Sequence, residues 1–411
     1  MLQSNKYLKK FAYRPASINQ PPKADLDTVV VIPAFNEPEL LKILTSLEAC
    51  EFPKKPVEII VVFNYSENAT DEVKQQSNQY YKRAVEFSKS RDLKFTYNII
   101  SAFNLPSKIA GVGLARKIGM DEAVFRLGDN LNGLIVCLDA DCEVSSNYLV
   151  AIQDHFYKNA KTPGASIYYE HPIVDNSELS LGIINYELHL RYYNQFIKYA
   201  GHPYAFHTVG SSMAVRSWAY QKQGGMNKRK AGEDFYFLQK IIQLGNFSEI
   251  KTTSVYPSPR ISDRVPFGTG KAQGDWINNK QDHYYTYNIE AAIVLKSLFD
   301  KVKRYGRKLN NKPIQEIDKV IIEHIGIDQW QLKILEIYKN TTSDEAFIKR
   351  FFAWYNLFMV MRFVHFYRDN YSANIPVSEA AVKLLSMLSE ESSGDNPKNL
   401  LLEFRVLEGA G

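Results

Sequence analysis

The apolar positions of this chain fall into short, unbroken runs separated by longer amphipathic stretches. Val29-Val-Val-Ile32, Val57 to Phe63, Lys94 to Ile100 and Leu134 to Leu138 are too short for helices. Lys94 to Ile100 is a strand candidate; the other runs lack the strict alternation of a half-exposed strand, so they predict buried strands, Leu134 to Leu138 in the middle of a sheet covered on both faces. Between them, Leu40, Leu41, Leu44 and Leu47 recur at helical spacing, a polar segment from about Thr70 to Lys89 reads as a helix, and another helix opens at Gly111. Strands alternating with helices predict an α/β fold with a mostly parallel, doubly wound sheet. Further along, Ser166 to Glu170 reads as a strand, Leu181 to Ile197 as a tyrosine-rich helix, Gly210 to Arg216 as small residues leading into a strand, and Gly224-Gly225-Met226 as a turn. A helix begins at Glu233-Asp234 and runs through Leu238, Ile241 and Ile242 to Gly245.

The texture divides the chain into three parts. Residues 1–26, with Pro15, Pro21 and Pro22, form an arm; 27–275 hold the strand and helix units; 276–411 are helical. In the last part Ile314, Ile317, Ile321 and Ile325 share one face. Thr342 and Glu345 make a capping box before a helix from Phe347 to Tyr367, and residues 388–411 read as frayed. The aromatic stripe Phe351, Phe352, Trp354, Tyr355, Phe358, Phe363 and Phe366 suits a packed core or a homodimer face better than a membrane-binding one.

Composition narrows the function. A net charge of +5 over 411 residues, without a dense basic block, gives no reason to expect nucleic acid as a partner. The three cysteines, Cys50, Cys137 and Cys142, lack metal-ligand spacing and point to reduced thiols. The N-terminus has no apolar core like that of a signal peptide. The longest uncharged apolar stretch, Phe351 to Met361, is far below the ~20 residues of a membrane span. The expectation is a soluble cytoplasmic protein, at most peripheral at the inner face of a membrane.

The chemistry gathers where the run from Gly133 ends in Asp139-Ala140-Asp141. Two carboxylates one residue apart repel each other unless a cation or donor group lies between them. Hard oxygen ligands favour Mg²⁺ or Mn²⁺, whose natural cargo is a diphosphate. Ala140 is small enough to let a bulky group lie against the backbone. The competing reading makes the aspartates caps of a helix starting near Ser145 or Ser146, and Asn36 is read as the N-cap of the helix that carries Leu40, Leu41, Leu44 and Leu47. Arg116, in the first turns of the Gly111 helix, suits an anion or a base carbonyl. Gly111, Gly113 and Gly119 do not complete a dinucleotide fingerprint. Glu233 and Asp234 suit a helix N-terminus and also a general base. The proline-bounded loop 256–270 carries Arg260 and Arg264, four apart, as an anion clamp.

Taken in order, these segments resemble the inverting family 2 glycosyltransferases of the GT-A fold, over about residues 27–270. Val31-Ile-Pro-Ala-Phe-Asn-Glu37 looks like the family's donor-base loop, Gly111 to Gly119 like its glycine-alanine-arginine helix, and Asp139-Ala-Asp141 like its Asp-x-Asp. Gly224-Gly225-Met226 resembles its Gly-Gly-Phe turn and Glu233-Asp234 its Glu-Asp pair. The resemblance implies that Pro33, Ala34, Phe35, Glu37, Asn64 and Arg116 hold the nucleoside of a nucleotide-sugar. Asp139 would face ribose or metal, and Asp141 would hold the Mg²⁺ or Mn²⁺ on the diphosphate. Asp234 would be the base and Glu233 would orient the acceptor, while Arg260 and Arg264 would close over the phosphates. A UDP-sugar is the default donor; Phe63-Asn64-Tyr65-Ser66 departs from the family's usual strand ending. The acceptor is a glycan, a lipid-linked saccharide or a small molecule. No Gln-x-x-Arg-Trp follows, which disfavours a processive synthase. His202, His207 and His283 are candidates for a third metal ligand. The alternatives are a sugar-phosphate nucleotidyltransferase and a non-catalytic glycan- or nucleotide-binding scaffold.

Overall fold

The computed structural model describes residues 5–175, 177–262, 268–279, 282–389, 392 and 394–409. They form two compact units. One comprises Met1–Pro172 and His207–Lys271, the other Ile173–Phe206 and Ala272–Gly411.

The first unit is built on the apolar runs. In chain order it holds α1 (Lys6–Phe11), β1 (Thr28–Ala34), α2 (Leu40–Glu48), β2 (Val57–Ser66), α3 (Asp71–Ser88), β3 (Thr96–Leu105), α4 (Val112–Leu127), β4 (Leu134–Cys137), β5 (Cys142–Val144), α5 (Tyr148–Lys158) and β6 (Gly164–Tyr169). After α6 (Glu178–Tyr199), which belongs to the other unit, come β7 (Met213–Arg216), α7 (Ser217–Lys222), α8 (Glu233–Ile242) and β8 (Ser248–Pro257). The eight strands make one sheet in the order β3-β2-β1-β4-β7-β6-β8-β5. The half from β3 to β4 is parallel, whereas β7 runs against both β4 and β6, and β5 against β8. The strand order reverses between β1 and β4, the crevice where open α/β sheets receive ligands. Register aligns Val31 with Cys137 and Ala34 with Phe63, so Phe35–Glu37 and Asp139 leave the sheet at one edge, where Asn64 continues β2 beyond the end of β1, paired with Ala102 of β3.

Helix α4 lies directly on this edge-forming half. A Cβ at Gly119 would collide with Val31 and Val62, so the glycine is what lets the helix press against the sheet. Its other side is strapped by the N-terminal arm, whose role composition alone did not disclose. The Tyr7 hydroxyl donates to Asp121 Oδ1 at 2.6 Å, Tyr13 N–H to Asp121 Oδ2 at 3.0 Å and Ser17 N–H to Glu122 at 2.8 Å. Arg126 pairs with Glu58 and donates to the Gln20 carbonyl at 3.0 Å. A Cβ at Gly225 would overlap the Tyr7 hydroxyl, and Gly224 and Gly225 both have positive φ (76° and 73°). The turn therefore requires glycine twice over.

The second unit gathers α6 with the C-terminal helices. It contains most of α9 (Thr269–Asn279), then β9 (Tyr285–Thr286), α10 (Glu290–Tyr305), α11 (Lys319–Ile325), α12 (Ile327–Lys339), α13 (Asp344–Trp354), α14 (Leu357–Asn370), β10 (Ile375–Pro376), α15 (Val377–Met387) and α16 (Pro397–Leu407). Phe351, Phe352, Tyr355 and Phe363 are buried, so the aromatic stripe is largely core. The expected helix from Phe347 to Tyr367 is two helices, because Asn356 leaves helical geometry and caps α14 with its own side chain. The cap of α13 is Ser343, not Thr342. The tail is not frayed throughout: Leu400, Leu401 and Phe404 are buried. Arg405 Nε and Arg191 Nε each donate to Glu187 Oε1 at 2.8 Å, and Arg191 also pairs with Glu408, which joins α16 to α6. Among the described residues no helix is long and apolar enough to cross a membrane.

Candidate active site

The reversal crevice is furnished by four loops. The first, after β1, differs from the sequence reading. Asn36 does not cap α2; its φ is +45°, and the helix begins at Leu40 after Glu39. Pro38 delays the start, and the Glu37 carboxylate turns back to accept the Glu39 N–H at 3.0 Å. Asn36 Oδ1 is left buried with no partner among the described residues. Pro33 and Ala34 are fully inside the strand end, Phe35 is half-buried beyond them, and Asn64 is buried at the end of β2.

The second loop follows β4. Asp139 and Asp141 are partly exposed (37% and 27% of the side chain), with Ala140 buried between them. Neither begins α5, whose cap position is Asn147, so the capping alternative is removed.

Arg116 joins this loop to the third. Only 3% exposed, its guanidinium gives Nη2 to Asp139 and Nη1 to Glu233. Burial alone would lower its proton affinity. The carboxylates Asp139, Glu233 and Asp234 outweigh that and hold the guanidinium firmly charged. Two glycines make the junction possible. A Cβ at Gly113 would strike the Arg229 carbonyl and the Glu233 side chain, and one at Gly210 would strike the guanidinium itself. The glycines that open α4 thus serve close approach of the 229–233 segment.

Glu233 and Asp234 open α8. Glu233 is buried, and burial pushes its carboxyl up to about 7; Arg116 opposes this rise and Asp234 adds to it. Asp234 is half-buried and also raised, again through burial, against the pull of Arg116. Its Oδ2 accepts the Gly210 N–H at 2.9 Å and its Oδ1 the Phe235 N–H at 2.7 Å. These two bonds fix the carboxylate's orientation.

The fourth loop supplies Arg260. It pairs with Glu37, lies 3.3 Å from Asp141 Oδ2 and 3.5 Å from Glu39 Oε2. Burial would lower its proton affinity, but Glu37 and Asp141 raise it. Arg264 lies outside the described residues. The structure therefore gathers two ion-pair groups at the Asp139-Ala140-Asp141 loop: Arg116 with Asp139 and Glu233, next to Asp234, and Arg260 with Glu37, Glu39 and Asp141. Sequence reasoning missed Asn36 Oδ1, Glu39 and the Gly210 N–H. The Glu37-x-Glu39 spacing was a visible signal, whereas nothing local marked Gly210, 24 positions before Asp234.

No group of three or more His, Cys, Asp or Glu side chains able to hold a metal is found among the described residues. His202 does not serve as a third ligand. Its Nε2 faces the Tyr355 carbonyl at 2.9 Å, its Nδ1 faces the Tyr204 N–H at 3.2 Å, and burial keeps it neutral with a pKa of about 4. His207 packs edge-on against Tyr169 and His283 against Tyr285. The three thiols are unpaired and buried, and burial pushes Cys137 up to about 12, so they are inert.

Residues 29–220 match the model of glycosyl transferase family 2. This stretch belongs to that family, and the protein is a glycosyltransferase with a GT-A-like fold. Among solved structures, the 1–349 fragment of TarS from S. aureus is similar at 14% identity, over 89% of this chain and 92% of that one, with a TM-score of 0.39. The same fragment in complex with UDP-GlcNAc gives 14%, 89%, 93% and 0.38. A longer TarS structure gives 13%, 82%, 55% and 0.37. No curated protein matches the chain in sequence.

Proposed function

We propose that the chain transfers one sugar from a nucleoside-diphosphate sugar, UDP-linked by default, to an acceptor hydroxyl with inversion, assisted by Mg²⁺ or Mn²⁺. The observation that carries this reading is the Arg116 bridge. It draws the aspartate loop of β4 and the Glu233-Asp234 helix start into one crevice where the strand order reverses.

The donor lies along the β1 and β4 loops. Asn36 Oδ1, Glu37 and Asn64 face the nucleoside, and the backbone of Pro33–Phe35 forms its floor. Asp139 and Asp141 offer partly exposed carboxylates, hard oxygen donors that would hold a divalent cation such as Mg²⁺ or Mn²⁺. Such a cation, when bound, neutralises charge on the departing diphosphate. Arg260 exchanges its contact with Asp141 for the phosphates. Asp234 takes the proton from the acceptor O–H. The acceptor oxygen bonds to the anomeric carbon from the face opposite the leaving group. The bond from that carbon to the phosphate oxygen breaks, and its electron pair leaves with the nucleoside diphosphate. Glu233 acts through Arg116, holding the guanidinium that positions Asp139.

The raised pKa of Asp234 brings a carboxylate base closer to working pH, where proton transfer is more efficient. Asp234→Asn keeps the size of the side chain and one of its two accepted N–H contacts, because the amide nitrogen cannot accept the other, and it removes the base. Transfer should fall by at least the ~100-fold typical of a lost general base, while UDP binding measured by calorimetry persists. An Asp234→Asn enzyme of near-normal turnover would overturn the assignment.

A further inference from the structure

The guanidinium of Arg260 already brings positive charge to Asp141, the carboxylate read above as the holder of a divalent cation. Its Nη2 pairs with Glu37 Oε2 and lies 3.3 Å from Asp141 Oδ2, while Nη1 lies 3.5 Å from Glu39 Oε2. Two features hold it there. Glu37 is 1% exposed, and a carboxylate so buried needs a cation beside it, which makes Glu37 the anchor. The root of the arginine's loop is also tied to the aspartate's own backbone. Strands β5 and β8 pair Cys142 with Pro257, and the Ser258 N–H donates to the Asp141 carbonyl at 3.1 Å, two residues before Arg260. Pro257 and Pro259 stiffen this short leash. Glu39 is fixed in turn, its N–H on Glu37 Oε1 at 3.0 Å and its Oε1 on Lys42 Nζ at 2.6 Å.

We propose that Arg260 guards the metal position: it holds Asp141 until a nucleoside diphosphate arrives, so that the divalent cation binds weakly alone and strongly with the nucleotide. The inference rests on the reading of Asp141 as a metal ligand. A cation taking Asp141 Oδ2 meets a guanidinium whose Nη2 is shared between that oxygen and Glu37, and like charges in a partly buried crevice repel. The arginine does not simply swing into water, because that would strand the buried Glu37. A diphosphate removes the conflict. Its oxygens offer the guanidinium's fork a bidentate partner and the divalent cation hard ligands, so each positive charge gains an anion of its own. The coupling is reciprocal: the nucleotide tightens the metal by the same factor as the metal tightens the nucleotide.

The test is Mn²⁺ binding to the full chain, followed by EPR of the free ion, without nucleotide and with UDP, GDP or dTDP, corrected for Mn²⁺ held by the nucleotide in solution. With at least one nucleotide the native chain should bind Mn²⁺ roughly tenfold or more tightly than without it. Arg260→Ala should bind Mn²⁺ alone about tenfold more tightly than the native chain, the worth of one charge-assisted contact, and its further gain on adding nucleotide should shrink by a similar factor. Lys42→Ala, which removes the cation on Glu39, should leave both affinities within about twofold. Arg260→Ala strands Glu37 and could unfold, so Arg260→Ala/Glu37→Gln, which removes that charge as well, carries the metal-alone comparison independently. Native Mn²⁺ affinity indifferent to every nucleotide, both Arg260 variants no tighter than native, or an Arg260→Ala affinity raised equally with and without nucleotide would each overturn the guard. Native-like Mn²⁺ binding by Asp141→Ala would instead take the metal away from Asp141, and with it the reading on which the guard rests.

Discussion

Replacing Arg116 by methionine removes the charge that joins the two halves of the crevice while keeping an unbranched chain of similar length. Glu233 is 2% exposed and bonds to Arg116, so the variant strands a buried carboxyl without its cation. Breaking a buried pair in this way costs about 3–5 kcal/mol. The pH dependence follows from the direction of the shift. In the native protein burial raises Glu233 from 4.5 to about 7, with Arg116 already pulling it down. Without Arg116 it rises further. Below about pH 4.5 the group is protonated in folded and unfolded chains alike and contributes no difference. Between 4.5 and 7 the folded chain of both proteins keeps the proton, so the two lose stability in parallel. Above 7 the native protein sheds the proton and levels off, whereas the variant must still hold it. The deficit therefore widens by up to ~1.4 kcal/mol per pH unit, or about 2 kcal/mol between pH 7 and 8.5. Urea unfolding at pH 6, 7 and 8.5 measures it. A deficit that is constant or shrinks with rising pH would refute the assignment of Glu233 as the stranded group, as would Arg116→Met/Glu233→Gln being no more stable than Arg116→Met at pH 8.5.

Three further outcomes follow from the geometry. Gly225→Ala places a Cβ on the Tyr7 hydroxyl at a backbone φ of +73°. It should cost about 1–3 kcal/mol and release the arm to protease before residue 23; an arm as resistant as the native one would contradict the strap. Arg260→Ala should weaken UDP binding about tenfold, the worth of a charge-assisted contact, and unchanged or tighter calorimetric affinity would remove Arg260 from the phosphates. The acid limb of kcat/KM should lie above the ordinary carboxylate range, because the raised Asp234 must be ionised to act. A limb at or below that range would separate the base from Asp234.

Much of the first unit was legible because its information is local. Four apolar runs became β1 to β4, Thr70 caps α3 as its side chain suggests, and Asp139-Ala-Asp141 emerges where a buried strand must end. Caps and helix breaks were misread at Asn36, Thr342 and Asn356, where neighbouring residues compete for the same role and one-residue differences decide it.

The amino-acid order by itself determined which segments become strands, which end in acids and where glycine is needed, since burial period and backbone freedom are properties of a few adjacent residues. Only the tertiary structure decided that Arg116 spends its donors on Asp139 and on Glu233, 117 positions away, and that α6 and α16 share Glu187. The reason is physical. A buried charge takes whichever opposite charge the fold delivers once water is gone, and that delivery depends on chain crossings that no local spacing encodes.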